Sequence, residues 1–409
     1  MRKQAPQRRR GSATPRVRTE PGVNLPIVPT DEEVEIRAAV RGICESVGGP
    51  EYHRRIVAAD EPPTELWKAL AERGYLGVNL PERYGGGGLG MHALQMVGEE
   101  ISAAGCSLLL IVVSPAIVGS ILARHGTEGQ REEWLPGIAT GQIKVAFAIT
   151  EPDAGTNSHN LSTAATRDGD VYRLRGTKTY ISGVEDADAI LVIARKREPD
   201  GTLGLPLLML VDTDSPGLEK QFIPVAVKAS DKQWTLFFDD VEVPAERIVG
   251  ESETAGLKAA FDGLNPERIM GASVSSGVGR RALEIAAEYA NERVVWSQPI
   301  GAHQGLSHPL AQAKIELELA RLMTQKAAAL YDAGAPAGEP ANMAKYAAAE
   351  AAIKCVDQAI QTHGGNGFAL EYGLTDMYWG ARLARTAPVS REMILNYVAE
   401  HSLGLPRSY

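Results

Sequence analysis

Apolar residues change their spacing twice along this chain. From Thr30 to about residue 143 they recur at helical intervals, as in Leu66–Arg73 and His92–Ala104. Thr30 is placed to cap the first helix, with Asp31, Glu32 and Glu33 in a first turn where the helix dipole favours acids. The Gly-rich stretch Leu80–Gly90 reads as a turn between two of these helices. Ile101–Ala123 carries no charged side chain and has the length of a membrane span, but Ser107, Ser114, Pro115, Gly119 and Ser120 interrupt it. It predicts two buried helices meeting near Pro115.

Between Lys144 and Glu251 the pattern shortens. Lys144–Thr150, Val171–Ser182, Ala189–Arg195, Leu207–Val211 and Thr235–Val243 predict strands, with turns at Asp168-Gly169-Asp170 and Pro199-Asp200-Gly201. Helical spacing then returns. Ile315, Leu319, Leu322 and Leu330 keep one face apolar, and Met343–His363 and Ser390–His401 predict further helices. The expected class is α+β, with a basic tail over 1–26, an α-helical domain over 27–143, a β domain over 144–251 and a helical bundle over 252–409.

Composition adds limits. With 409 residues, 44% hydrophobic and 23% charged, the chain has ample length for a large core. A net charge of −9 excludes a basic nucleic-acid-binding body. The tail holds Arg2, Lys3, Arg8, Arg9, Arg10, Arg16 and Arg18, and no apolar run follows it. It is therefore no secretory signal, and it reads as a solvated extension rather than a nucleic-acid arm. Cys44, Cys106 and Cys355 form neither a CxxC pair nor a zinc cluster, which fits a reducing cytoplasm. None of the eight histidines belongs to a metal-binding pattern.

Ala148–Asn157 (AITEPDAGTN) ends a predicted strand in a Gly-containing loop, where backbone N–H groups and the hydroxyls of Thr150 and Thr156 suit a phosphate or a polar ring edge. Gly176–Gly183 (GTKTYISG) and Gln361–Phe368 (QTHGGNGF) follow. Together with Pro81–Gly86, Phe238–Pro244, Arg293–Ile300 and Gln304, these segments in this order resemble the acyl-CoA dehydrogenase family of flavoenzymes, from about residue 27 to the C-terminus.

The resemblance implies an N-terminal helical domain, a middle β-barrel-like domain and a C-terminal four-helix bundle. FAD would lie between the last two, partly held by a neighbouring subunit of a homodimer or homotetramer. Phe147, Ile149, Thr150 and Thr156 would line the flavin and its pyrophosphate, Tyr180 would cover one ring face, and Ser182 would reach the N5 edge. Arg293, Trp296, Gln304, Gln361, Gly364 and Gly365 would come from the partner to the adenine and pyrophosphate end. Read alone, Tyr180 and Trp296 are plain core aromatics and Gln361 a helix-end cap.

The implied reaction removes a proton and a hydride from adjacent carbons of an acyl-CoA and passes the electrons to an electron-transfer flavoprotein. It needs a carboxylate near the α-proton, donors for the enolate oxygen and a hydride acceptor. The family most often carries its base in a Glu-Gly-Thr-x-Glu pattern ahead of the last helix. Here that stretch reads Ala387-Pro-Val-Ser-Arg-Glu392, so Pro388 takes the position and also removes an amide hydrogen that the family uses for the thioester oxygen. A subset of the family carries the base on a bundle helix as Leu-x-x-Glu-Arg. Leu264-Asn-Pro-Glu-Arg268 matches it, which makes Glu267 the base and Arg268 a neighbour tuning its charge. Otherwise Glu267 is a solvated first-turn acid beside Pro266 at a helix start. Glu392 is an outside candidate. Asn157, Gly183 and Trp379-Gly380 depart from the family pattern. Competing readings are a dehydrogenase of carrier-protein-bound acyl thioesters, a flavin-dependent oxygenase and a DNA-associated flavoprotein.

Overall fold

The computed structural model describes residues 28–250 and 256–408. The basic tail expected over 1–26 lies outside the described residues. The first domain contains α1 (Asp31–Ser46), α2 (Gly49–Ala59), α3 (Thr64–Ala71), α4 (Gly90–Ala103), α5 (Ser120–His125) and α6 (Glu128–Ala139). Thr30 caps α1 as expected: its hydroxyl accepts the Glu33 N–H at 3.2 Å, and the Glu33 carboxylate accepts the Thr30 N–H at 3.0 Å. The opening N–H groups of α4 are met from far along the chain, where Asp332 accepts from Met91 at 2.7 Å and His92 at 2.8 Å.

The predicted meeting of two helices at Pro115 is corrected. The chain breaks at residues 104–108, around Gly105 with φ +74°, while Pro115 sits inside a wide helical stretch, Val112–Gly119, of π type. The wider turn accommodates a residue that has no N–H to donate and whose ring would crowd the preceding turn. Asn79 Nδ2 donates to the Pro115 carbonyl at 3.0 Å and fixes the stretch from outside. No helix among the described residues is long and apolar enough to cross a membrane.

The middle domain is a single sheet of β1 (Val145–Ala148), β2 (Ala164–Asp168), β3 (Val171–Ser182), β4 (Ala189–Arg197), β5 (Leu203–Asp212), β6 (Leu218–Ile223) and β7 (Gln233–Pro244). Its order is β1-β4-β2-β3-β7-β6, with β5 paired to β4. Strand β4 runs parallel to β1 and β2 and antiparallel to β5. Ile190 and Val192 face one core with Leu174 and Leu236; Leu191 and Ile193 face the helices with Phe147 and Leu208. Burial on both faces explains the unbroken apolar run of β4. Strands β2 and β6 escaped the sequence reading because half or more of their residues are exposed, leaving little apolar signal.

The third domain holds α7 (Gly256–Glu292), a hairpin of β8 (Val294–Val295) and β9 (Gln298–Pro299), α8 (Gln304–Asp332), α9 (Gly338–His363), α10 (Leu374–Leu383) and α11 (Arg391–Tyr397). Helices α7, α8 and α9 pack together, and α10 lies against α7 and α9. Ala341, Ala344, Ala348, Ala351, Ala352 and Ala359 are all buried, so α9 is held in the core by close backbone approach. The apolar face of α8 read from Ile315, Leu319, Leu322 and Leu330 divides. Leu330 is 4% exposed, but Ile315 and Leu319 are 62% exposed and Leu322 48%. Ala313, Leu317, Ala320 and Ala327 make the buried face instead. Buried Glu99 and Glu100 of α4 tie the helical domains together by pairing with Arg37 of α1 and Arg280 of α7, and Glu99 also meets Arg321 of α8 at 2.7 Å.

Candidate active site

Two clusters contain the residues singled out above. The first lies on the middle sheet. Phe147 is buried on β1, and Ile149 and Thr150 follow it directly. Thr156 is exposed on the loop that continues from them. Opposite, Tyr180 sits in an irregularity of the β3–β7 pairing, with φ +56° and 61% of its surface exposed. A left-handed backbone at a bulky residue costs energy, so its outward aromatic face is imposed by the surrounding strands. The Ser182 hydroxyl donates to Gln233 Oε1 at 3.0 Å.

A buried network beneath this loop escaped the sequence reading. Glu151 accepts from the Ser162 N–H at 2.6 Å, the Ser162 hydroxyl at 2.7 Å, the Thr163 N–H at 3.0 Å and Lys178 Nζ at 2.8 Å. Lys178 also donates to the Ile149 carbonyl at 2.9 Å. Both side chains are buried, so every charge is satisfied inside the protein. Burial raises the Glu151 carboxyl, but Lys178 and the N–H donors outweigh it and hold the group down at about 2. The only signal in the sequence was a Glu and a Lys within the two loop motifs.

Beside the loop runs a cleft lined by Ile149, Leu161, Ile193, Leu205, Ala260 and Leu264. Its far wall is α7, and Glu267 follows Leu264 by three residues on the same helix face. Pro266 lies inside α7 and not at its start, which removes the reading of Glu267 as a first-turn acid. The carboxylate is half-buried, and no hydrogen bond reaches it among the described residues. Burial pushes it up to about 7, against the pull of Arg268 and Lys345. Arg268 donates to Asn265 Oδ1 at 3.1 Å, and burial lowers its pKa. Glu392, the outside candidate, is 70% exposed and paired with Arg391 at 3.2 Å.

The Pro388 segment faces the same region. A β-carbon placed on Gly271, one turn beyond Glu267, would stand 3.5 Å from Pro388 Cδ. Lys345 of α9 is 2% exposed, and its ammonium donates to the Val389 carbonyl. Its signal in the sequence was one of two lysines in an Ala-rich helix.

The second cluster lies at the other end of α7. Arg293, Trp296 and Gln304 are exposed before, within and after the hairpin, and Trp296, with φ +54°, is 87% exposed. Gln361, Gly364 and Gly365 are exposed at the end of α9. Tyr289 joins the two helix ends by stacking on His363 at 4.1 Å and accepting from Asn366 Nδ2 at 3.1 Å. Nothing lies within 4 Å of a β-carbon built on Gly364 or Gly365, and Gly364 has φ +58°. From Glu267 to Glu292 the helix rises about 37 Å, so one chain does not bring the two clusters together.

The outward Tyr180 beside a hydroxyl-bearing loop in one cluster, and the open glycine cradle with the outward Trp296 in the other, each suit part of a large ligand with rings and phosphates, such as FAD. Among the described residues there is no group of His, Cys, Asp and Glu arranged to hold a metal ion.

Comparison with known proteins agrees along the chain. Models of the acyl-CoA dehydrogenase N-terminal, middle and C-terminal domains match residues 30–142, 146–241 and 254–403. Acyl-CoA dehydrogenase FadE12 of Mycobacterium tuberculosis strain H37Rv is 53% identical over 384 residues, 93% of this chain and 98% of that protein. The structure of a glutaryl-coenzyme A dehydrogenase glutaryl-CoA complex superposes with a TM-score of 0.88 at 28% identity, covering 94% of this chain and 98% of the other. A glutaryl-CoA dehydrogenase from Mycobacterium smegmatis in complex with FADH2 gives a TM-score of 0.85 at 27% identity, covering 93% and 96%. With all three domains matched in order, the chain belongs to the acyl-CoA dehydrogenase family of enzymes.

Proposed function

We propose that the protein is an FAD-dependent acyl-CoA dehydrogenase that forms a 2-enoyl-CoA, with Glu267 as the base for the α-proton. The observation that carries this reading is Glu267 itself. It is a carboxylate without a hydrogen-bond partner among the described residues, one helical turn from Leu264 of the cleft, in a chain whose other base position holds Pro388.

Near neutral pH a carboxyl at about 7 is divided between its two forms. The ionised form takes the α-proton onto a carboxylate oxygen, and its raised proton affinity makes that transfer easier than for an ordinary glutamate. Arg268 adds positive charge beside it. Pro388 has no amide hydrogen to offer the thioester oxygen. Bound FAD would supply the acceptor for the hydride leaving the β-carbon. Phe147, Ile149, Thr150, Thr156, Tyr180 and Ser182 would hold it from one chain. Arg293, Trp296, Gln304, Gln361, Gly364 and Gly365 would hold it from a second copy, because about 37 Å of α7 separates the clusters within one chain. The working unit is then a homodimer or a homotetramer built from it, and a soluble electron-transfer flavoprotein takes up the electrons.

The deciding experiment is the visible spectrum of the purified protein, followed by anaerobic addition of straight and branched acyl-CoAs. Bleaching of a flavin band by one of them is the expected result and identifies the substrate class. Bleaching only by an acyl-carrier protein would move the substrate to a carrier. Rapid air oxidation with hydroxylated product would mark an oxygenase, a reaction that gives Glu267 no task. A folded, colourless protein that takes up no added FAD would end the reading.

A further inference from the structure

One buried cation near the base has no part in the proton transfer. Lys345 lies in the apolar stretch of α9, 2% exposed, and its ammonium donates to the Val389 carbonyl, next to Pro388. An alkyl chain of this length would fill the same space without a charge, so the ammonium calls for a reason.

The charged groups around it come from three helices. On α7 stand Glu267 and Arg268, on α9 Glu350, and on α11 Glu392. Two of the acids are already matched. Glu350 pairs with Arg385 at 2.7 Å and Arg391 at 3.3 Å, and Glu392 pairs with Arg391 and is largely exposed. Glu267 alone among these acids has no pairing within hydrogen-bond distance among the described residues.

We propose that Lys345 is a positioning residue of the site: it anchors the Pro388–Val389 segment to the bundle and, together with Arg268, supplies the buried positive charge that opposes the desolvation of Glu267. One side chain thus serves both positions at which a base is expected, holding the empty one in shape and keeping the occupied one usable. The inference rests on Glu267 being the base. Geometry supports it first: Lys345 holds Val389, whose neighbour Pro388 reaches Gly271, one turn from Glu267 on α7. Burial and the neighbouring Arg268 lower Lys345 only to about 8, so it remains charged at neutral pH and, after Arg268, pulls Glu267 down.

The test is the titration of the Glu267 carboxyl, followed by its infrared carbonyl band in the FAD-loaded protein and identified by the band's absence in Glu267→Gln. Lys345→Gln retains a hydrogen-bond donor and removes the charge. It should raise the Glu267 titration by about one pH unit. Flavin reduction by substrate should then fall about fivefold at pH 7 and approach the wild-type rate near pH 9.5. Lys345→Arg should restore the wild-type titration. An unshifted carboxyl in Lys345→Gln overturns the assignment, as does a Lys345→Arg protein shifted as far as Lys345→Gln. If the variants do not fold, the wild-type protein decides: a carboxyl titrating at about 8 to 9, the range of buried acids without cationic help, overturns it. Undiminished flavin reduction in Glu267→Gln would instead remove the base reading on which the inference stands.

Discussion

Gly271 and Pro388 meet across the bundle. The glycine's missing β-carbon would stand 3.5 Å from the proline ring, and Glu267 lies one turn before that glycine on α7. The contact brings the Pro388 segment within one helical turn of Glu267, although more than a hundred residues separate the two in the chain.

Replacing that glutamate tests the arrangement directly. Glu267→Gln should retain FAD, seen by its absorption, and lose substrate-driven flavin reduction by roughly a hundredfold to ten-thousandfold, the usual scale for removing a general base. Single-turnover stopped-flow kinetics measure it, and an unchanged rate rejects the role.

The same group sets a pH dependence. Only the ionised carboxylate accepts a proton, and burial places its titration at about 7. Flavin reduction should rise with pH through 7, level off above it and fall about tenfold per unit well below it. A profile flat from pH 5.5 to 8 would contradict this.

Acid stability should depend on Glu151. Its carboxyl is held down at about 2 in the folded protein, against 4.5 without the fold. The stabilisation is therefore complete above about pH 4.5 and lost as pH falls toward 2, to the extent of roughly 3 kcal/mol. Lys178→Met leaves the acid buried and unpaired, costing about 3–5 kcal/mol and moving acid unfolding to higher pH. Urea melts at several pH values would measure both effects.

The exposed apolar face of α8 predicts self-association. Ile315, Leu319 and Leu322 form a one-sided apolar stripe, a feature that marks interaction surfaces. Leu319→Lys should lower the molar mass found by light scattering. Where the partner copy completes the FAD site, the same change should also lower flavin occupancy.

Much of this was legible in the sequence, for physical reasons that differ by element. Thr30 with Glu33 gave a helix start because capping uses only neighbours in the chain. Strand β3 is legible at Val171–Ser182, the bounds it has in the structure, because a Gly-containing turn begins it and β-branched, aromatic and other apolar residues recur along it. Strand β6 carried too little apolar signal at the sheet edge. Periodicity grouped Ile315, Leu319 and Leu322 of α8 with buried Leu330, since an exposed apolar stripe and a core face can have the same spacing. Pro115 looked like a helix end because a proline is normally one, and the π-type turn that admits it depends on packing. The pairing of Glu151 with Lys178 and the reach of Lys345 to Val389 are contacts between distant segments, so no local pattern announced them.

The length of α7 has a further consequence. Each added residue turns a helix by about 100° and lengthens it by about 1.5 Å. One residue inserted between Arg268 and Tyr289 would swing the Arg293 hairpin a quarter-turn or more out of phase with Glu267. Seven residues would nearly restore the phase, to within about 20°, while driving the ends about 10 Å apart. No insertion preserves both angle and span, so the helix acts as a fixed gauge between its two ends. A change in the length of α7 would therefore displace one cluster from the other, whereas a substitution within it would not.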